Sequence, residues 1–231
     1  MKLPVCILAG GLGTRLGEHV RDTPKPLLDV AGEPFLLHQL RDLAACGARR
    51  VVLCVGYLGE RIEATIGPER FGIEIAYAYD GPDLRGTAGA VRGALDALGE
   101  AFLVLYGDAY LRVDYAEVER RFLAAGTPGL MAVFRNEGRW DRSNVVYADG
   151  RVVLYDKYHD DPRMRWIDYG LGAYRADALV GGEDDLSLIQ AKLAAAGQMA
   201  GYEVFERFYE IGTPAALAET DAFLRRRTAE R

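Results

Sequence analysis

The run Val5-Cys6-Ile7-Leu8-Ala9 has the apolar character of a buried strand, and it stops at Gly10-Gly11-Leu12-Gly13-Thr14-Arg15. Glycine lets a backbone approach a polyphosphate closely, its N–H groups can donate to phosphate oxygens, and Arg15 adds a planar, permanent cation. Some ten residues on, Lys25 stands between Pro24 and Pro26, so a lysine with little backbone freedom could hold its charge against one phosphate. Either feature alone is an ordinary bend; together they describe a phosphate site. Two rival fingerprints fail. GxGxxG needs a glycine where Leu16 stands, and the next strand-like run closes on Val55-Gly56-Tyr57 without an acidic residue, which argues against a nicotinamide enzyme. GxxxxGK[ST] is missing its Gly-Lys pair, which argues against a P-loop kinase or ATPase. Tyr106-Gly107-Asp108 places a carboxylate just past another apolar run, and Mg²⁺ is commonly held by one or two carboxylates plus substrate phosphates.

LAGGxGTRL followed by PKPL resembles the signature of the sugar-1-phosphate nucleotidyltransferases, with similarity from Val5 to about Phe223. Within that family it resembles the small, single-domain guanylyltransferases acting on manno-heptose 1-phosphate, and also the mannose 1-phosphate guanylyltransferases and muramate-type uridylyltransferases, so a heptose or mannose-type 1-phosphate is the expected acceptor. The resemblance implies that a sugar 1-phosphate attacks the α-phosphorus of a nucleoside triphosphate, GTP being favoured, with Mg²⁺ as cofactor and pyrophosphate leaving. It assigns Leu8, Ala9, Gly10, Gly11, Gly13 and Thr14 to the nucleotide, Arg15 and Lys25 to catalysis, and Asp108 to the metal. The second metal carboxylate of the family is normally the Asp of a D-[IV]-G-[TS]-P segment; here Glu210 replaces it in Glu210-Ile211-Gly212-Thr213-Pro214, one methylene longer.

Gly86-Thr87-Ala88-Gly89-Ala90 resembles the segment that lies against the base, and Asp80 either accepts from a base amino group or faces water. Lys157, in Asp156-Lys157, corresponds to the lysine that meets the sugar phosphate. Asp168 and Gly170 stand where an Asn-x-Gly segment lines the sugar pocket; Trp166 and Tyr169 either flank the ring or belong to the core. His19, His38 and His159 form no ligand spacing, and a sugar phosphate is already an anion that needs no general base. Transfer of a uridylyl or cytidylyl group, and a non-catalytic nucleotide-sugar sensor, stay open as alternatives.

Such groups need strand ends gathered on one side of a sheet. Val5–Ala9 and Val51–Val55 flank an amphipathic stretch from about Pro34 to Cys46, a βαβ unit. A helix at Glu60 to Ile66, a strand at Ile73 to Tyr79, a helix at Gly89 to Leu98 and a strand at Phe102 to Tyr106 continue the alternation. Asp114 and Glu117 read as a capping box for a helix to Ala125, Asp149-Gly150 as a hairpin turn, Leu186 to Ala196 as a helix, and Thr213-Pro214 as the start of a last helix ending near Arg227. The fold class is α/β: a Rossmann-like, three-layer α/β/α arrangement with a mixed, mostly parallel sheet, which is GT-A-like in the resemblance. We expect one domain over 1–231, its nucleotide half about 1–110 and its sugar-phosphate half about 111–231, with no C-terminal β-helix.

Half of the 231 residues are hydrophobic and 27% are charged, enough apolar material for a sizeable core. No apolar run approaches the roughly 20 residues of a membrane helix, so a cytoplasmic protein without a membrane partner is expected. A net charge of −6 argues against nucleic acid, and Arg225-Arg226-Arg227 reads as a solvated helix end. The three cysteines, an odd number without a CxxC pair, read as buried thiols. Association into a homo-oligomer stays open.

Overall fold

A computed structural model describes residues 1–11, 13, 16, 22–81 and 85–229. In chain order the elements are β1 (Val5–Leu8), β2 (Asp29–Val30), β3 (Glu33–Pro34), α1 (Phe35–Ala45), β4 (Arg50–Val55), α2 (Gly59–Ile66), β5 (Glu69–Arg70) and β6 (Ile73–Tyr79). There follow α3 (Gly86–Gly93), α4 (Leu95–Leu98), β7 (Ala101–Tyr106), β8 (Ala109–Tyr110), α5 (Tyr115–Ala125), β9 (Gly129–Arg135), β10 (Val145–Ala148) and β11 (Arg151–Tyr155). The chain closes with β12 (Trp166–Arg175), α6 (Leu186–Ala195), β13 (Met199–Val204), β14 (Tyr209–Glu210) and α7 (Pro214–Ala229).

Ten strands form one sheet in the order β10-β11-β13-β9-β12-β7-β1-β4-β6-β5. The block β7-β1-β4-β6 is parallel. β12 runs antiparallel between β7 and β9, β13 is parallel to β9, and β5, β11 and β12 oppose the other seven strands. Alternate residues of β1 and β4 serve opposite faces, as the two-residue strand period requires. Val5, Ile7, Val51, Leu53 and Val55 pack with apolar residues of α1, α2 and α5. Cys6, Val52 and Cys54 pack with those of α3, α4 and α6 on the other side. These are the three layers expected.

The last helix departs from a simple layer. Leu28, Val30, Phe35, Tyr110, Ile211 and Leu224 form a third apolar cluster, which docks α7 against β2, α1, β8 and the end of β14. Arg227 is therefore not a solvated helix end: it pairs with Asp42 at 3.3 Å and lies over the Tyr110 ring. Arg225 remains on the surface, paired with Asp221.

The Asp114 cap is present, its carboxylate accepting from Ala116 N and Glu117 N, and Asp149-Gly150 turns with both φ angles positive. The single helix expected over Gly89 to Leu98 is instead two, α3 and α4, and α3 begins at Gly86. Strands β9, β12 and β13 were not anticipated. Gly170 and Gly172 interrupt the apolar alternation of β12, where the register to β9 shifts between Asp168 and Gly172. No helix among the described residues is long and apolar enough to cross a membrane.

Candidate active site

At the carboxyl ends of β1, β4 and β7 lies a pocket of about 240 Å³. Leu8, Ala9, Gly10, Gly11, Gly13, Lys25, Asp80, Gly86, Thr87 and Asp108 all line it, a set the sequence spreads over a hundred positions. Thr14, Arg15 and His19 lie outside the described residues. Gly10 is required by packing: a Cβ there would meet Gly56 N at 3.0 Å and Asp80 Oδ2 at 3.3 Å. At Gly11 a Cβ would meet no atom of the described residues within 4 Å, so packing among them does not require a glycine there. Asp80 is buried, and burial raises its carboxyl above the usual range against the opposing pull of Arg85.

Lys25 begins a short turn in which Leu27 N bonds to Pro24 O at 2.8 Å, and Pro26 is buried beneath it. The rigid Pro-Lys-Pro segment delivers Lys25 Nζ to Asp108 Oδ2 at 2.6 Å, with the lysine side chain only 11% exposed. Asp108 itself is fixed through its neighbours. Gly107 N donates to Leu8 O, Ile211 N donates to Asp108 O, and the buried Gln39 amide donates to both Tyr106 O and Ala109 O. Gln39 was missed by sequence reasoning; its signal is a polar residue on the apolar face of α1.

A second pocket, about 760 Å³, shares Tyr106 and Asp108 with the first. Lys157, Asp168, Gly170 and Glu210 line it. Glu210 reaches this position because β14 pairs with β8, with Glu210 opposite Ala109, while Thr220 Oγ1 of α7 donates to Glu210 O at 2.6 Å. Asp108 and Glu210, the two carboxylates the resemblance assigns to a metal, both line this pocket. No group of three or more His, Cys, Asp or Glu fit for a metal occurs among the described residues. Two carboxylates fit Mg²⁺, which takes few protein ligands and completes its shell with phosphate oxygens and water.

Asp168 sits in the β12 bulge. It accepts from Gly170 N at 2.9 Å and more weakly from Gln190, and burial pushes its carboxyl up to about 6 despite those bonds and the nearby Lys157. Lys157 is half exposed and lies 3.7 Å from Asp185, whose carboxylate also receives Tyr158 OH and Thr87 Oγ1. Asp156 closes its own turn by accepting from Tyr158 N, His159 N and His159 Nδ1. His38 is a core residue bonded to Val30 O.

Both aromatics left open make core contacts. Tyr169 is buried against Phe134 and Phe208 while also lining the second pocket, and Trp166, which does not line it, packs on Tyr147 with its indole N–H on Glu203. Trp140, Arg207 and Tyr209 line the second pocket as well.

A family model described as nucleotidyl transferase matches residues 5–143. The chain is 39% identical over 159 residues to CMP-5'-(3-aminopropyl)phosphonate synthase of Streptomyces rubellomurinus, which covers 68% of the chain and 24% of that protein. It is 36% identical over 152 residues to the mannose-1-phosphate guanylyltransferase catalytic subunit beta of Drosophila melanogaster, covering 64% of the chain and 41% of the relative. The chain thus spans less than half the length of these curated relatives. Among solved structures, HddC from Yersinia pseudotuberculosis complexed with GMP-PN superposes with a TM-score of 0.78 at 23% identity, over 96% of this chain and 99% of that one.

Proposed function

Because the chain belongs to the nucleotidyl transferase family, we propose that it transfers a nucleotidyl group from a nucleoside triphosphate in the glycine-lined pocket to a sugar 1-phosphate in the second pocket, releasing pyrophosphate. The observation that carries this reading is that the two pockets meet at Asp108. A carboxylate shared by two substrate cavities stands where two phosphates must be brought together. Guanine is favoured by the relatives that are mannose-1-phosphate guanylyltransferases and by the HddC complex with GMP-PN. Asp80, buried at the pocket wall, suits a base that presents N–H donors.

The chemical problem is repulsion between two polyanions. Lys25, fixed by its prolines, places the α-phosphate, Lys157 receives the incoming phosphate, and Arg15 steadies the leaving pyrophosphate. Asp108 and Glu210 would hold Mg²⁺, which would supply the charge neutralisation that phosphoryl chemistry requires. No residue need act as general base. Free nucleotides and sugar phosphates as substrates suit a cytoplasmic reaction.

A second reading has its own support. The relative that makes a CMP-phosphonate favours a cytidylyl group and an open-chain phosphonate acceptor; cytosine also offers Asp80 an amino donor. Four nucleoside triphosphates tested against hexose and heptose 1-phosphates and 3-aminopropylphosphonate, read by pyrophosphate release, decide between them. GTP with a manno-configured sugar phosphate is the expected pair. Nucleotide binding with no pyrophosphate from any acceptor would leave a sensor and remove the transferase.

A further inference from the structure

Trp140 is an aromatic side chain 48% exposed, yet its loop is tied down by several hydrogen bonds. Asn136, wholly buried, donates to Asp141 O at 2.6 Å and Ser143 Oγ at 3.2 Å and accepts from Trp140 N at 3.2 Å. The backbone N–H groups of Asn136 and Glu137 both donate to Arg165 O, and Glu137 and Gly138 turn the chain with positive φ. Such bonding fixes where the indole goes. It goes over Arg207, whose guanidinium carbon lies 3.6 Å from the Trp140 ring centroid and 4.4 Å from that of Tyr209.

Arg207 is held from every side. Its two terminal nitrogens donate to the Glu219 carboxylate at 2.8 and 3.1 Å, and Nε donates to Phe208 O. Tyr209 in turn stacks on Phe223 of α7 with centroids 3.9 Å apart. A guanidinium so fully engaged is poorly placed to travel to a phosphate, and its geometry serves to brace the indole. Asp141, Asn144 and Asp168 line the same cavity and offer hydrogen-bonding groups beside that aromatic surface.

We propose that Trp140, braced by Arg207, is the platform on which the ring of the acceptor lies, so that the second pocket selects a pyranose phosphate over an open-chain phosphonate. This rests on the reading of that pocket as the acceptor site. A pyranose has a flat C–H face for the indole and a rim of hydroxyls for the carboxylates; an extended alkyl chain has neither.

The test measures pyrophosphate release at saturating nucleoside triphosphate for the unmodified protein, Trp140→Ala, Trp140→Phe and Arg207→Ala. Loss of one well-packed aromatic contact is worth about tenfold, so Trp140→Ala should raise the KM for the ring acceptor about tenfold. The KM for the nucleotide should not move, the open-chain phosphonate should be unaffected, and Trp140→Phe should recover most of the loss. Arg207→Ala should shift the same KM in the same direction. Binding is read independently of turnover by tryptophan fluorescence, since only Trp140 and Trp166 contribute. Titrating a sugar 1-phosphate should change the emission of the unmodified protein and leave Trp140→Phe silent. An unchanged ring-acceptor KM and an emission change that survives in Trp140→Phe would overturn the platform while leaving the transferase intact. An unmodified protein that binds sugar phosphate through Trp140 but releases no pyrophosphate would remove the transferase and leave the platform standing.

Discussion

The glycine-lined pocket is walled largely by backbone and short side chains at the ends of parallel strands, whereas the pocket beside it is walled by side chains from β11, β12, β14, α7 and the Asn136–Ser143 loop. The first presents amides and one fixed lysine, a surface suited to the phosphates common to all nucleoside triphosphates. The second presents Trp140, Arg207, Asp168 and Glu219, chemistry that can distinguish one acceptor from another. Their common boundary is Asp108. On the proposed reading the difference would separate what serves the reaction from what chooses the substrate, as expected when sites are grafted on a shared fold.

The largest effects should come at the boundary. Asp108→Asn should reduce kcat by about 10²–10³, with unfolding temperature and nucleotide affinity measured alongside to show an intact fold. Near-normal turnover would dissolve the idea that both pockets act through this carboxylate. Lys25→Ala should cost at least about 10² on the same scale, because it removes a cation that its two prolines hold in place.

The contrast between the pockets also explains what could be seen from residues alone. Gly10, Gly11, Lys25 and Asp108 announce themselves because each is a local anomaly: glycines closing a strand, a lysine between prolines, an acid after an apolar run. The βαβ order of the first half follows equally from uninterrupted strands such as Val51–Val55. Trp140 and Arg207 carry no local mark, since they lie 67 positions apart and Arg207 is held in place by Glu219 of α7. Strand β12 was hidden by the glycines and the acid that make its bulge. Trp166 and Tyr169 could not be resolved because their neighbours, Tyr147, Glu203, Phe134 and Phe208, are distant in the chain.

Smaller changes sharpen the comparison. Gly86 has φ +69°, and a Cβ there would lie 2.4 Å from Asp184 O, so Gly86→Ala should destabilise the protein by about 1–3 kcal/mol, read as denaturant midpoint at constant slope. In the acceptor pocket, burial raises Asp168 to about 6. The folded chain therefore binds this proton more tightly than the unfolded one. Its ionisation costs stability progressively as pH rises from near 4 to above 6, and the cost is complete above that window. Asp168→Asn should consequently gain thermal stability relative to the unmodified protein at pH 8 compared with pH 4, while weakening acceptor binding; a pH-independent difference in unfolding temperature would refute the assignment. His159→Ala, on the exposed Asp156 turn, should leave turnover unchanged.

The most direct test of the shared boundary is a crystal structure with a non-hydrolysable nucleoside triphosphate, Mg²⁺ and a sugar 1-phosphate. The nucleotide should lie against Gly10 and Gly11, the sugar phosphate should lie beside Lys157, and both phosphates should converge on a metal ligated by Asp108. A metal seated away from Asp108, or both ligands confined to one pocket, would contradict the account.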